Sequence, residues 1–166
     1  MNPVISRIRT GGQSGVDRAA LDAAKSLEVT ITAWVPKGGW AEDFVTPPGL
    51  LTEYPELKET PSEDVEQRTE WNVRDSHATL IIASWAESCS PGTGFTVECA
   101  KNYKRPYFVV TDISKTEAEE VYKWVSGVGT GLTLNIAGPR ESEAPGAYLE
   151  TFKFITQLLK LNNSLR

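Results

Sequence analysis

The sequence is poor in the residues that support metal binding, disulfide bonding and histidine chemistry. It has two cysteines, Cys89 and Cys99, and one histidine, His77. The spacing of the cysteines matches no common metal or redox motif, so a reduced, cytoplasmic setting is expected. A lone histidine, without a second histidine or a close cysteine, favours neither a zinc site nor a catalytic pair. The sequence therefore assigns no metal ligand, and the catalytic residues stay unknown.

Long apolar runs and basic clusters are also absent. No stretch approaches the roughly 18 apolar residues of a membrane-spanning helix, and Met1–Val4 lacks the character of a signal peptide. The net charge is −5 over 166 residues, and no run of Lys and Arg could follow nucleic-acid phosphates. We expect a soluble protein with no nucleic-acid and no membrane partner, folded as one domain over residues 1–166.

Short β-type runs alternate with helical runs along the chain. Strands are predicted over residues 4–9, 30–35, 78–84, 107–111 and 132–137, and helices over 15–27, 63–76, 94–104, 115–126 and 146–162. The third and fourth strands are nearly continuous apolar runs, which is typical of parallel strands covered on both faces. This alternation predicts an α/β fold of the Rossmann-like, doubly wound type. Its mostly parallel sheet would have about five or more strands, with helices on both faces.

Residues 36–61 depart from this alternation because they are rich in proline, glycine and acidic residues. A loop of this length inside a compact domain is usually functional or disordered. Apolar side chains such as Trp40, Phe44 and Leu50 could pin the segment to the domain. We therefore expect an ordered insertion, which we call the flap.

The most distinctive segment joins the first strand to the first helix. Its polar and glycine residues are, in order, Gly11, Gly12, Gln13, Ser14, Gly15, Asp17 and Arg18. The first N–H groups of a helix are unpaired, and together with the helix dipole they bind phosphate-like anions. The glycines would let the main chain approach such a ligand. The alternative is that they only form a tight turn.

Three other strand ends carry polar or glycine-rich segments. The residues concerned are Lys37 and Gly38 after the second strand, Ser84, Gly92, Thr93, Gly94 and Thr96 after the third, and Gly138, Arg140, Glu141 and Ser142 after the fifth. Ligands of doubly wound sheets bind beyond the carboxyl ends of the strands, so we expect these segments to share a site. The segment that ends at Thr96 precedes a helix and could hold a second anion. A Pro-Gly turn with a capping threonine is the alternative.

The predicted helix over 63–76 carries Arg68 and Asn72 four residues apart, on one face. Both are predicted to contact the ligand, although a solvated helical face is the plainer alternative. The chain has no G-x-x-x-x-G-K-[ST] motif, so it lacks the standard triphosphate loop. The glycines of 127–131 precede a strand and predict a turn.

Six segments together make the sequence similar to a known family. They are Thr10–Ala24, Val35–Gly39, Ala41–Asp43, Arg68–Ser76, Gly92–Thr96 and Asn135–Ser142. With them the chain resembles the molybdenum carrier family, a branch of the Rossmann-like superfamily that includes the Lonely Guy nucleotide hydrolases and DNA-processing Smf proteins. The resemblance covers nearly the whole chain. It implies a small anionic ligand, either a nucleotide or a pterin phosphate, with molybdenum cofactor or molybdate as the cargo, and a homo-oligomer.

The Lonely Guy hydrolases carry P-G-G-x-G-T-x-x-E, in which the glutamate serves catalysis. Here Gly92-Thr93 matches the G-T, but Thr96 stands where the glutamate is expected. This difference favours a binding or carrier protein for a phosphate-bearing ligand.

Two other functions remain open. One is a nucleotide hydrolase that cleaves an N-glycosidic or phosphate bond, with Asp17, Glu98 or Glu141 as acid or base and Arg68 or Arg140 on the phosphate. In the other, the glycines are structural and exposed tryptophans form an interaction surface.

Overall fold

The computed structural model describes residues 2–85 and 91–164. Its strands are β1 (Ile5–Thr10), β2 (Thr30–Val35), β3 (Lys58–Glu59), β4 (Ala78–Ile82), β5 (Tyr107–Val110) and β6 (Leu132–Ala137). Its helices are α1 (Val16–Ser26), α2 (Leu50–Glu53), α3 (Val65–Arg74), α4 (Pro91–Asn102), α5 (Ala118–Val128) and α6 (Ala147–Ser164). Within the described ranges, no helix has the length and apolar character needed to cross a bilayer.

The six strands form one sheet in the order β3-β2-β1-β6-β4-β5, and every neighbouring pair is parallel. The chain runs from β1 outward to β3 on one side, and β4 and β5 lie on the other side of β6. The strand order therefore reverses at β1 and β6, which is where a doubly wound sheet opens a crevice for a ligand. The predicted α/β fold with a parallel sheet is confirmed.

The helices pack in two groups. Helix α1 contacts α6, which also contacts α5, and α3 contacts α4. The apolar stripe of α6 fills the core, with Ile155, Leu158 and Leu159 fully buried. All five residues of β4 are buried, as its continuous apolar run predicts. Each fully buried Leu or Ile side chain stabilises the fold by roughly 1.5–3 kcal/mol, so this core holds the strand ends in place.

Two elements inside the flap were not among the predicted ones. Helix α2 has four residues, and strand β3 has two, pairing Lys58 with Trp34 and Glu59 with Val35. Elements this short leave no periodic apolar pattern in the sequence. The flap also contributes to the core, because Ala41, Leu50 and Leu57 are buried.

Helix α4 begins at Pro91, three residues before the predicted start at residue 94. Its first turn therefore contains Pro91, Gly92 and Thr93, which the sequence pattern placed before the helix. Proline is well suited to the first turn of a helix, because its missing N–H group has no partner there in any case.

Candidate functional site

A cavity of about 600 Å³ opens at the carboxyl ends of β1 and β6, and we call it the main cavity. The predicted site residues that line it are Gly11, Gln13, Asp17, Arg68, Asn72, Gly92, Thr93, Thr96, Gly138 and Arg140. They come from residues 11–18, which we call the glycine loop, and from α3, the first turns of α4 and the loop after β6. The structure thus brings together ten residues that lie far apart in the sequence, at the place where the strand order reverses.

The electrostatics of the main cavity centre on Arg68 and Asp17. Arg68 is only 9% exposed, and its Nη1 donates to the carbonyl of Gly11 at 2.5 Å and lies 4.0 Å from Asp17 Oδ2. Burial lowers the pKa of Arg68, although the neighbouring Asp17 carboxylate opposes this shift. Among the residues that the structure describes, none accepts a hydrogen bond from the buried Nε of Arg68. A donor with no acceptor is a cost that a bound ligand can remove.

Asp17 is a buried carboxylate in the first turn of α1. Burial raises its pKa to about 6, against the opposing charges of Arg68 and Arg18 and hydrogen bonds from the main chain at Gln13 and Gly11. The N–H group of Gln13 donates to Asp17 Oδ2 at 3.3 Å. A carboxylate of the protein therefore already lies at the amino end of this helix.

Other N–H groups of the glycine loop also have acceptors within the protein. Gly12 donates to Thr10 Oγ1 at 3.0 Å, Ser14 to Gln13 Oε1 at 3.0 Å, and Val16 to the carbonyl of Pro139 at 3.2 Å. The loop was predicted to offer these donors to a phosphate. In the structure they stabilise the loop, and the loop presents Gln13, Asp17 and the Gly11 main chain to the main cavity.

Two glycines allow close packing of main chain. Gly15 has a φ of 77°, and a Cβ there would lie 2.6 Å from the carbonyl oxygen of Pro139. A Cβ on Gly138 would lie 2.6 Å from the carbonyl oxygen of Ile82. The glycine loop and the loop after β6 therefore fit together only without side chains at these positions.

Arg18 anchors the flap to the glycine loop. Its guanidinium makes two hydrogen bonds to Asp43, at 2.9 and 3.0 Å, and two to the carbonyl of Gly12, at 3.1 and 3.3 Å. It also lies over the rings of Phe44 and Tyr54. All of these partners belong to the protein, so in this structure Arg18 holds the flap in place.

Glu42 makes a second connection between the flap and the loops. Its carboxylate accepts hydrogen bonds from the hydroxyl groups of Ser14 and Ser142, and its N–H group donates to Gln13 Oε1 at 2.9 Å. Partial burial raises the pKa of Glu42, but the hydrogen bonds from Ser14 and Ser142 outweigh burial and leave the pKa below its usual value. Glu42 therefore stays ionised near neutral pH and holds three segments together.

A second cavity, of about 720 Å³, is lined by Glu42 and its partners Ser14 and Ser142, and we call it the acidic cavity. Among its lining residues are five carboxylates and a single arginine: Asp22, Glu42, Asp43, Glu53, Glu141 and Arg18. Four predicted ligand contacts besides Arg18 lie here and not in the main cavity, namely Ser14, Gly15, Glu141 and Ser142. The predicted set is thus divided between two cavities of different charge.

Glu141, one of the three predicted acid–base candidates, has a structural partner for each carboxylate oxygen. They accept hydrogen bonds from the N–H groups of Gly146 at 2.7 Å and Tyr148 at 2.8 Å, at the start of α6. Glu98, the second candidate, is exposed on α4 and lines neither cavity. Asp17 is the one of the three that lines the main cavity.

Helix α4 contributes its first turns to the main cavity. Thr96 is buried there, and its hydroxyl donates to the carbonyl of Gly92 at 3.0 Å. Gly94 is exposed and lines neither cavity. Part of the predicted segment between Ser84 and the helix, residues 86–90, lies outside the described residues.

Four more predicted contacts line neither cavity. They are Gly12, Lys37, Gly38 and Ser84. Gly12 faces the side chains of Val35 and Leu50, Lys37 is exposed, Gly38 donates its N–H group to Glu59, and the Ser84 hydroxyl accepts from the N–H group of Ile113. The turn after β2 therefore contributes neither of its predicted contacts, although Trp40, which follows it in the flap, lines the main cavity.

Asn72 lines the main cavity, but its side-chain amide is engaged with β2. Its Oδ1 accepts from the N–H group of Trp34 at 2.8 Å, and its Nδ2 donates to the Trp34 carbonyl at 2.9 Å. This pair of bonds ties α3 to the sheet and so helps to position Arg68, one helical turn away.

The sequence patterns miss several residues that line the main cavity, among them Trp40, Phe95, Asn135 and Glu143. Asn135 is a buried polar residue within the apolar strand β6, and such a residue is a signal that the patterns could have used. Trp40 gave no positional signal, because it reaches the cavity only through the fold of the flap. Glu143 pairs with Arg140, whose Nε lies 2.5 Å from Glu143 Oε1.

The main cavity combines two arginines, Arg68 and Arg140, with three carboxylates, Asp17, Glu66 and Glu143, and it also has two aromatic side chains and a helix amino end. This arrangement suits a ligand with a phosphate and a planar ring.

Two comparisons with known proteins give a match, one to a family model and one to a solved structure. The model of the circularly permutated YpsA SLOG family matches residues 8–159. Among solved structures, the chain is similar to a crystal structure from Syntrophus aciditrophicus SB whose protein is named "putative molybdenum carrier protein". The two chains are 36% identical, the match covers 96% of this chain and 98% of the other, and the TM-score is 0.82. A comparison with curated proteins gives no match. The structural likeness extends over nearly the whole chain.

Proposed function

The chain belongs to the circularly permutated YpsA SLOG family, and we propose that it is a carrier that holds a small phosphate-bearing ligand in the main cavity. The observation that carries this proposal is the buried guanidinium of Arg68, whose Nε meets no acceptor among the described residues. Arginine binds phosphate through parallel, charge-assisted hydrogen bonds, so a phosphate would satisfy this donor. A cavity of about 600 Å³ also lies in the range found for small-molecule sites.

The phosphate is assigned to the space between Arg68, Arg140 and the amino end of α4. Arg140 also lines the main cavity, with its side chain 41% exposed and its Nε paired with Glu143. Gly92 and Thr93 bring the positive end of the α4 dipole to the same cavity. The glycine loop contributes a wall of the site, because its described donors are largely satisfied within the protein.

A planar ring is assigned to the aromatic part of the main cavity. Trp40 and Phe95 offer faces or edges for stacking, and the amide of Asn135 offers a polar contact. The ring of a nucleotide base and the ring of a pterin both meet this description. The ligand class is therefore a nucleotide or a pterin phosphate.

Molybdenum cofactor is a pterin phosphate, and it belongs to this ligand class. The structural relative bears the name of a molybdenum carrier, and the unpaired donor of Arg68 fits the phosphate of such a cofactor. Within the described ranges, no three His, Cys, Asp or Glu side chains come together as metal ligands. We therefore assign the contacts of the protein to the phosphate and ring, and the cofactor would supply its own ligands to the metal. Molybdate alone would bind through the same cationic groups. A cytoplasmic location and a homo-oligomeric state stay predictions.

One observation favours a second candidate function, a nucleotide hydrolase. Asp17 lines the main cavity, and its pKa is raised to about 6 by burial, which suits a general acid or base near neutral pH. Against this function stands Thr96, at the position of the catalytic glutamate of Lonely Guy hydrolases. Its hydroxyl donates to the carbonyl of Gly92, within its own helix.

The carrier proposal is tested by native mass spectrometry, combined with metal analysis, on protein freshly purified from its own organism. We expect a bound species with the mass of a nucleotide or a pterin phosphate. Binding of the identified ligand is then compared between Arg68→Gln and Arg74→Gln. Both variants change an arginine of α3, but Arg74 stacks on Trp71 outside the main cavity.

We expect Arg68→Gln to weaken binding by at least about tenfold, or 1.4 kcal/mol, and Arg74→Gln to leave it unchanged. Equal affinity in the two variants, both folded by circular dichroism, would contradict the assignment of the phosphate to Arg68.

The hydrolase alternative is tested by incubating the protein with nucleoside monophosphates of all common bases. Release of free base or of inorganic phosphate, lost in Asp17→Asn, would support an enzyme. Recovery of every nucleotide intact would contradict the hydrolase function and leave the carrier function as the proposal.

A further inference from the structure

The amino end of α1 already has an anion, and that anion is Asp17. Its carboxylate accepts hydrogen bonds from the main chain of the glycine loop at Gln13 and Gly11. These are the donors that such loops offer to phosphates in other nucleotide-binding proteins. The carboxylate lies in the wall of the main cavity, 4.0 Å from Arg68 Nη1. Any anion that binds to Arg68 therefore meets a second negative charge.

Among the residues that the structure describes, few charged groups lie near this carboxylate. They are Arg68 and Glu66 from α3, Arg18 from α1 itself, and Arg140 and Glu143 from the loop after β6. Arg18 is held by Asp43, and Arg140 is held by Glu143. Among the described residues, Arg68 is thus the cation near Asp17 that forms no ion pair with another carboxylate, although Glu66 also acts on its charge. An incoming anion and Asp17 compete for the same guanidinium.

We infer that Asp17 is a proton-linked gate of the main cavity: an anionic group binds beside Arg68 only as the Asp17 carboxyl takes up one proton from solvent. The inference rests on the proposed function, since it concerns the same cavity and the same ligand class. Protonation removes the repulsion between the two anions and leaves Arg68 to the ligand. It also turns one oxygen of Asp17 into a hydrogen-bond donor, and an oxyanion can accept this hydrogen bond.

The gate gives binding a definite pH dependence. If one proton enters with each anion, the association constant falls about tenfold for each unit of pH above the pKa of Asp17 in the free protein. This decline ends where the pH reaches the pKa of Asp17 in the complex. The raised pKa of the free carboxyl, about 6, places this decline in the neutral range. A site without the gate would bind a ligand of constant charge equally well across this range.

The test is a calorimetric titration with inorganic sulfate and with cyclic AMP, whose charges are constant between about pH 5.5 and 8. It compares the wild-type protein, Asp17→Asn and Asp22→Asn. Asp22 is the matched control, because it lies on the same helix but lines the acidic cavity and is held by Tyr54 and Tyr148. Each titration is repeated in two buffers of different ionisation enthalpy, which measures the protons taken up by the wild-type protein without any substitution.

We expect the wild type to take up as much as one proton per bound anion near pH 7. Its affinity, and that of Asp22→Asn, should fall as pH rises. The affinity of Asp17→Asn should be independent of pH and, at pH 8, higher than that of the wild type. Binding by the wild type that is independent of pH, with no proton uptake, overturns this inference and leaves the proposed function standing. A decline with pH that persists in Asp17→Asn also overturns it. Absence of binding by the wild type at every pH overturns the proposed function together with this inference.

Discussion

At the scale of single residues, the site depends on how closely Arg68 approaches the main chain. Its guanidinium contacts the carbonyl of Gly11 and leaves Nε with no acceptor among the described residues. A charged group with an unsatisfied donor is costly to bury, and a ligand in the main cavity that accepts from Nε would remove this cost.

Gly11→Ala tests this approach. A Cβ at this position would lie 2.7 Å from Arg68 Nη1 and 2.9 Å from Asp17 Oδ2, which are both ends of side chains. The methyl group therefore displaces the guanidinium without forcing main chain apart. We expect binding of the physiological ligand to weaken about tenfold or more, with a thermal midpoint close to that of the wild type.

The control for Gly11→Ala is Gly127→Ala, because no atom outside its own helix lies within 4 Å of a Cβ there. Wild-type affinity in Gly11→Ala would contradict the role given to the position of Arg68.

The sequence predicts which residues lie at the site better than it predicts what each of them contacts. Asp17 and Thr93, from segments that follow strands, and Arg68, from the predicted helix over 63–76, do line the main cavity. Arg18 instead holds the flap through Asp43, and Glu141 holds the start of α6. A side chain is assigned to a ligand or to the protein only by its neighbours in space, and these come from segments as distant as residues 42 and 142.

At the scale of elements, the flap completes both cavities. It carries Trp40 to the main cavity and Asp43 to the acidic cavity, and Arg18 and Glu42 connect it to the loops. We propose that the flap folds together with the sheet as part of one domain. Its short elements α2 and β3 could not be predicted, because four- and two-residue elements are specified by their contacts and not by a pattern.

Leu50→Ala tests whether the flap belongs to the core. Leu50 begins α2 and is fully buried, so we expect the substitution to lower the free energy of unfolding by about 2–5 kcal/mol. Urea unfolding followed by fluorescence measures this loss.

Val45→Ala is the control for Leu50→Ala, because Val45 lies in the same segment and is 66% exposed. We expect its effect to stay within about 0.5 kcal/mol. Similar small effects of both substitutions would mean that the flap does not contribute to the stability of the fold.

At the scale of the whole molecule, the fold follows from the pattern of the sequence. The five predicted strands and five predicted helices all occur, and the apolar runs of β4 and α6 are buried as expected. The start of α4 was misplaced, because its first turn holds glycines that are typical of loops. The order of the strands, which places β6 between β1 and β4, depends on contacts between distant segments.

The stability of the whole protein should reflect the buried carboxyl of Asp17. Its pKa is about 6 in the folded protein and about 3.9 in an unfolded chain. The folded state therefore binds more protons between these values, and the stability that Asp17 contributes falls as pH rises from about 4 to about 6. We expect the wild type to lose on the order of 2 kcal/mol relative to Asp17→Asn over this range.

Urea unfolding of both proteins at pH 4 and at pH 7 measures this difference, and the other carboxylates cancel in the comparison. A difference in stability that is the same at both pH values would mean that Asp17 titrates normally.

The most direct measurement is a crystal structure of the protein with the ligand that native mass spectrometry identifies. A phosphate oxygen within about 3.2 Å of Arg68 Nε, in the main cavity and beside the first turn of α4, is the predicted result. A phosphate in the acidic cavity, or one in the main cavity that leaves Arg68 Nε without an acceptor, would contradict the account.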